Sequence, residues 1–229
     1  MFLLEPHNTH TQAASLPLPI HSKPLLSVID LECIRGDNLL FSGLNFSLCA
    51  GQLMQVEGAN GSGKTSLLRI LACLSRASEG KVLWEGEDIH KQKSIYFSQL
   101  AYLGHTLGVK SDLSPLENLK IALALAGFPV EEDAVFRALE QTGLAGKEDV
   151  PARSLSAGQK QRVALARLLV CPVKLWIMDE PFTALDVSGI SLVRELLEGH
   201  LQHGGMAVLT SHQTVDVRGD VVRVNLNVA

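Results

Sequence analysis

Three observations predict an α/β fold built on a mainly parallel core sheet. Residues 58–65 read Gly-Ala-Asn-Gly-Ser-Gly-Lys-Thr, the G-x-x-x-x-G-K-[ST] form of a phosphate-binding loop. The loop lies between an apolar strand-like run at 53–57 and a helical pattern at 65–74. Farther along, 173–178 and 207–210 are apolar runs of buried-strand length. Strands that alternate with helices form a parallel sheet, with ligands at the C-terminal ends of the strands.

The elements are expected in this order. Residues 1–24 are rich in Pro, Ser, Thr and His without periodicity, which predicts a mobile tail. From 25 to 229 the chain reads as one domain. Residues 25–34, 44–48 and 81–84 are short and rich in β-branched or large apolar residues, which predicts an antiparallel sheet near the N-terminus. In the helix at 65–74, Leu67, Leu68, Leu71 and Leu74 share one face. Residues 115–127 and 131–143 read as two further helices, and 160–170 as another. The helix-rich stretch at about 111–165 is expected to be an inserted subdomain.

Composition narrows the functional classes. The 229 residues are 46% apolar, enough for a full core. Net charge is −4 with both signs mixed along the chain, which speaks against the basic face of a nucleic-acid protein. The longest uncharged, mostly apolar run is 121–130, half the ~20 residues that a bilayer crossing needs. Membrane association is therefore expected only through a partner. Cys33, Cys49, Cys73 and Cys171 show no C-x-x-C spacing and read as reduced, small apolar residues. No C-x-x-C-H occurs, so covalent haem attachment by that motif is not expected. Residues 1–5 carry no basic run, so no secretory signal is expected and a cytosolic location is.

In the phosphate loop, Gly58, Gly61 and Gly63 let successive backbone N–H groups turn inward onto phosphate oxygens. Ala59, Asn60, Ser62 and the following Ser66 complete the expected contact set. The helix that begins near Lys64 adds its positive end. Lys64 carries an ammonium to the β/γ-phosphates, and Thr65 offers a hydroxyl to Mg²⁺.

Residues 175–180, Leu-Trp-Ile-Met-Asp-Glu, form an apolar strand that ends in two acids. Burial of that strand puts Asp179 and Glu180 at the sheet edge beside the phosphate loop. Asp179 can hold Mg²⁺ through water, and Glu180 can polarise an attacking water. Taken alone, two acids after an apolar strand are usually an exposed turn. Beside a phosphate loop they are a catalytic pair. Leu-Ser-Ala-Gly-Gln at 155–159 precedes the helix at 160–170, with Ser156 as its cap. A helix start without a nearby acid is an anion site, although for that segment alone an ordinary capped helix is the better reading.

In this order and at these spacings, the set resembles the ATP-binding-cassette family over about residues 25–226. The resemblance implies a P-loop NTPase with a mainly parallel core sheet, an N-terminal antiparallel β subdomain and a helical insert. It implies ATP and Mg²⁺ as cofactors. It also implies a homodimer of cassettes packed head to tail, the signature of one closing on the γ-phosphate held by the other. Carried over, Lys64, Glu180 and His212 are the catalytic residues, and Thr65 and Asp179 the metal ligands. Ser156, Gly158 and Gln159 act in trans. Asp186, in Thr-Ala-Leu-Asp at 183–186, belongs to the D-loop that communicates between the two sites, and His212 senses the γ-phosphate. Two positions depart from the family. Its hinge glutamine is replaced by His105, counted back from Glu117-Asn118-Leu119; Gln99 is a rival six residues earlier. Its adenine-stacking aromatic falls near Arg35, whose planar guanidinium can also stack.

Tyr-Leu-Gly-His at 102–105, Phe-Ser-Gly-Leu at 41–44, Val-Leu-Trp at 82–84 and the Leu-Trp-Ile run at 175–177 through Pro-Phe-Thr-Ala at 181–184 narrow the resemblance. Together with a chain that ends soon after His212, they resemble the CcmA-type family, the cassette subunits of bacterial cytochrome c maturation. That implies an integral membrane subunit of the CcmB type as partner and further haem-handling membrane proteins beside it. It also implies a peripheral place on the cytoplasmic face of the inner membrane. Hydrolysis would then drive haem export or the release of a haem-loaded chaperone. The alternative is the ATPase subunit of another small exporter. A ribosome or nucleic-acid clamp would carry long coiled coils or two cassettes, and a module without turnover would lack some of Lys64, Asp179, Glu180 and His212.

Overall fold

The structure is a computed structural model that describes residues 23–211 and 214–226. All but the last two residues of the expected tail, and His212, lie outside the described residues. In chain order, β1 (Leu26–Arg35) and β2 (Asn38–Leu48) pair antiparallel, and β3 (Gln52–Glu57) feeds α1 (Lys64–Leu71). The chain then returns to the first sheet through β4 (Glu79–Trp84) and β5 (Glu87–Asp88), giving the order β2-β1-β4-β5. After α2 (Lys93–Phe97) and β6 (Leu100–Leu103) come α3 (Pro115–Ala126), α4 (Glu132–Gln141), a 3₁₀ turn at Ala152–Ser154, and α5 (Ala157–Val170). β7 (Leu175–Asp179), α6 (Val187–Gln202), β8 (Met206–Thr210) and β9 (Asp220–Asn225) complete the second sheet. Its order is β6-β7-β8-β3-β9, and every pairing in it is parallel.

The strand sequences explain why this sheet is central. All five residues of β7 and of β8 are buried, as in strands covered on both faces. The period of two divides them. Leu175 and Ile177 face a core shared with α1 and the antiparallel sheet, and Trp176 and Met178 face a core shared with α5 and α6. On that second side the Trp176 indole stacks on the His200 ring, centroids 3.9 Å apart and planes within 4°. A third cluster, with Leu119, Leu139, Leu155 and Val163, gives α3, α4 and the start of α5 a core of their own. α5 serves both. Val163 and Ala166 face the helical cluster, and Ala164, Leu165 and Leu168 face the sheet.

Several elements differ from expectation. α1 stops at Leu71, and Leu74 is 54% exposed, so the buried face is Leu67, Leu68, Ile70 and Leu71. The chain turns there because Cys73 takes a left-handed φ of 57°, while the Cys73 and Leu74 N–H groups bond to the Ile70 and Arg69 carbonyls. α5 starts at Ala157 rather than Lys160, because Ser156 and Gln159 close a capping box. β6, α6 and β9 have no counterpart in the sequence reading. β6 is four residues long, α6 contains Gly189 and Gly199, and half of β9 is polar.

Candidate functional site

The phosphate loop joins β3, in the middle of the parallel sheet, to α1. Gly58 has φ 146°, and a Cβ there would come within 2.5 Å of Ser62 Oγ and 2.8 Å of the Leu226 carbonyl oxygen. Only glycine fits. Gly63 caps α1 in a left-handed conformation with no side-chain cap, and no acid stands in the first turn of the helix. The positive end of α1 is thus open to an anion. Lys64 Nζ donates to the carbonyls of Gly58 at 2.8 Å and Ala59 at 3.1 Å, which holds the ammonium over the loop.

β7 delivers the two acids to the same place. Asp179 is buried at the strand end and accepts from Thr65 Oγ1 at 2.9 Å and from Thr210 Oγ1 at 2.7 Å. Thr210 also accepts from the Glu180 N–H at 2.9 Å, so one hydroxyl at the end of β8 ties both acids. Glu180 has φ 55°, a left-handed conformation that costs a β-carbon-bearing residue about 1–2 kcal/mol. Such strain persists only where the surroundings impose it, and it collects at functional positions. Asn60, Gly61, Gly63, Lys64, Thr65, Ser66, Asp179 and Glu180 line one cleft of about 430 Å³, together with Leu40 and His105. Beside it, burial first and then the Asp179 carboxylate push the Tyr102 phenol above its ordinary pKa, so it stays protonated.

His105, exposed, follows the C-terminal end of β6 and sits on this cleft. Gln99 lies just before the opposite end of β6, where its carbonyl accepts from the Leu175 N–H. Arg35 ends β1, exposed, and is not among the residues that line the cleft; Leu40 of β2 is.

The signature residues form a second cleft, of about 600 Å³. Ser156 Oγ accepts from the Gln159 N–H at 3.2 Å, and Gln159 Oε1 accepts from the Ser156 N–H at 3.0 Å. Asp186 caps α6 by accepting from the Gly189 N–H at 2.8 Å. That N–H, then Ser188, then Arg162 hold the Asp186 carboxyl below its ordinary pKa. At Gly158 a Cβ would lie 3.2 Å from the Ala184 carbonyl oxygen, so the signature turn runs close against the D-loop backbone. The fold therefore brings Asn60, Gly61, Gly63, Lys64, Thr65, Ser66, His105, Asp179 and Glu180 together, with Gly58 and Ala59 tied in through Lys64 and Ser62 buried behind the loop, and gathers Ser156, Gly158, Gln159 and Asp186 separately.

Two contributors escape sequence reasoning. Thr210 closes an apolar run that reads as core, and only its register opposite Asp179 reveals the contact. Gln161 is a buried polar residue on α5 whose Nε2 donates to the Pro181 carbonyl at 3.0 Å, fixing the turn after Glu180. No helix among the described residues is long and apolar enough to cross a membrane.

Residues 41–183 match the family described as ABC transporter. The chain is 64% identical over 197 residues to a Methylococcus capsulatus protein named cytochrome c biogenesis ATP-binding export protein CcmA. That match spans 86% of this chain and 95% of the other. A Nitrosospira multiformis protein of the same name is 53% identical over 200 residues, 87% of this chain and 97% of the other. Among solved structures, an ATP-binding subunit of an ABC transporter aligns with TM-score 0.73 at 25% identity, over 82% of this chain and 79% of that one. The dimeric structure of a bacterial ABC transporter cassette aligns with TM-score 0.76 at 22% identity, over 89% and 96%. At that identity the second likeness concerns the fold.

Proposed function

The chain belongs to the ABC transporter family, and from that premise we propose that it hydrolyses MgATP as half of a cassette dimer that drives a membrane complex of c-type cytochrome biogenesis. The observation that carries the catalytic part is the convergence of Lys64, Thr65, Asp179 and Glu180 on one cleft at the open end of α1. ATP is the substrate. Residues 58–66 bind its phosphates through backbone N–H groups, and Lys64 neutralises charge on the β/γ-phosphates. Thr65 and Asp179, already bonded to each other, are the residues that would hold Mg²⁺. When bound, that ion neutralises charge developing on the phosphates. Glu180 accepts the proton of the attacking water. His212 is proposed as the γ-phosphate sensor by its place after β8.

Ser156, Gly158, Gln159 and Asp186 serve the nucleotide of the second copy. The name carried by the relatives supports a role in cytochrome c biogenesis, with hydrolysis driving haem export or the release of a haem-loaded chaperone. The membrane partner, an integral subunit of the CcmB type, would dock in a largely apolar groove of about 340 Å³ between α3 and α5. Leu125, 85% exposed, and Ile121 line it, and it opens at Gly108, just beyond His105. Through that partner the chain would sit peripherally on the cytoplasmic face of the inner membrane.

The deciding experiment combines two readouts. Purified Glu180→Gln is assayed for ATP turnover, and the same variant is tested for restoring c-type cytochromes in cells that lack the wild-type chain. Loss of both supports the reading. Turnover lost with cytochromes intact would remove the biogenesis role, and turnover retained would remove the catalytic one.

A further inference from the structure

Arg162 lies on the second turn of α5, inside the cleft that holds the signature residues. Its Nη1 donates to the Thr142 carbonyl at the end of α4, at 3.2 Å. Its Nη2 donates to Ser188 Oγ in the first turn of α6, at 3.0 Å, and lies 3.6 Å from Asp186 Oδ1. Asp186 Oδ1 in turn accepts from Ser188 Oγ at 2.9 Å and from the Gly189 N–H at 2.8 Å. One guanidinium therefore joins three helices, and its side chain is 21% exposed where that of Asp186 is 73% exposed. The planar fork makes this possible, since its two terminal nitrogens donate to two different elements.

Gly143 makes room for it. The residue has φ 72°, and a Cβ added there would lie 2.5 Å from Arg162 Nη1. The backbone at the end of α4 is thus shaped to admit the guanidinium. An exposed ion pair contributes little by itself. A mostly buried arginine with carbonyl, hydroxyl and carboxylate partners constrains geometry instead.

We propose that Arg162 is a positioning residue that clamps the D-loop, at Asp186, to the signature helix, at Ser156, so that both close on the nucleotide of the second copy as one rigid jaw. The clamp rests on the dimer reading above and adds to it the residue that makes the two trans-acting motifs move together. It also links them to the helical subdomain through Thr142. A change in the angle of that subdomain, set by whatever docks between α3 and α5, would reach Asp186 through this side chain.

The test separates the clamp from the dimer. Arg162→Ala, Arg162→Lys and Gly143→Ala are made in the wild-type chain and in Glu180→Gln. Hydrogen exchange of the amides at 188–190, measured on the isolated ADP-bound chain, reads the clamp without any dimer. ATP-dependent dimer formation by Glu180→Gln and turnover by the wild-type background read its consequence. Arg162→Ala should speed exchange at 188–190 and lower kcat, each on the order of tenfold for the loss of a charge-assisted contact. It should also weaken the ATP-dependent dimer. ATP affinity of the isolated chain should stay within about twofold, because no phosphate-loop contact changes. Lysine should not rescue, since a single ammonium cannot serve Thr142 and Ser188 together.

Gly143→Ala reaches the clamp by displacing the Arg162 guanidinium and also strains the left-handed backbone at 143, so a loss of stability common to both variants is read by chemical denaturation, and exchange at 188–190 is compared with that of amides remote from the clamp. Unchanged exchange in both variants overturns the clamp. Faster exchange with normal kcat and a normal dimer overturns its role in the jaw, leaving a tie that holds the fold only. If Glu180→Gln itself forms no ATP-dependent dimer, the dimer reading fails, and the jaw with it.

Discussion

The two clefts of this chain are both built around helix N-termini, and they are finished in opposite ways. At the phosphate loop, α1 is left uncapped behind a left-handed Gly63, and Lys64 stands over its end. Two acids and two threonines close the other side. Cation, open helix end and carboxylates all line this one cleft. At the second cleft, α5 and α6 are both capped by their own side chains, Ser156 and Asp186. Its cation, Arg162, is engaged with Thr142 and Ser188. A capped helix gives part of its anion-binding capacity to its own cap. The first cleft thus leaves its helix end open to an anion, and the second has its helix ends and its cation already engaged within the chain.

The largest effect that could break this comparison is at Glu180. Glu180→Gln should cut turnover by about 10²–10⁴-fold, the range for loss of a general base, with ATP affinity nearly unchanged. Single-turnover hydrolysis beside nucleotide titration checks both halves. Next in size is Lys64→Ala, which removes a charge-assisted contact worth roughly 1.5–3 kcal/mol and should weaken ATP binding by about 10- to 150-fold. A nucleotide titration of the isolated chain that shows unaltered affinity would mean the first cleft does not hold phosphate as described. Ser156→Ala should leave that affinity alone. It should cost about 1 kcal/mol of stability by loss of the cap, visible in chemical denaturation, and lower turnover only at concentrations where copies associate.

His105→Ala sharpens the comparison from a third side, because His105 stands at the first cleft yet leads towards the groove between α3 and α5. Binding should stay within about threefold, less than one hydrogen bond is worth. Stimulation of turnover by the membrane partner should fall, and His105→Gln should restore it if the position does the work of a hinge amide. Equal stimulation in wild type and His105→Ala would make the side chain filler. The smallest effect concerns acid. The carboxyl of Asp186 is held below its ordinary range by the Gly189 N–H first, then by Ser188 and Arg162. Its charge therefore favours the folded state above the unfolded pKa of about 3.9, and that gain is lost as pH falls through the lower folded value. Denaturation of Asp186→Asn beside wild type should show a gap that narrows as pH falls below about 5 and goes on closing through the lower folded value.

The first cleft was far more legible in the sequence than the second. Its phosphate loop is contiguous, and its acids end a strand whose burial can be read from composition. Each step is local. The pairing of Ser156 with Asp186 depends on how α5 and α6 pack, and no spacing encodes that. α6 itself hides behind Gly189 and Gly199, which weaken a helical pattern, although tertiary burial of Val193, Leu197 and Leu201 sustains it. Likewise β9 is a half-polar strand without regular alternation, paired in parallel to β3 at the sheet edge. Leu74 illustrates the reverse error. Its spacing fits the helical face, yet the left-handed Cys73 turns the chain before it can reach the core.

In the proposed dimer these two clefts complete each other only across two copies. The direct measurement is the solution mass of Glu180→Gln by light scattering, with ATP and with ADP, alone and combined with Ser156→Arg. A dimer with ATP, a monomer with ADP, and a monomer under both conditions once arginine fills the second cleft are the expected results. A Glu180→Gln chain that binds ATP yet stays monomeric, or a dimer indifferent to Ser156→Arg, would contradict the proposed dimer.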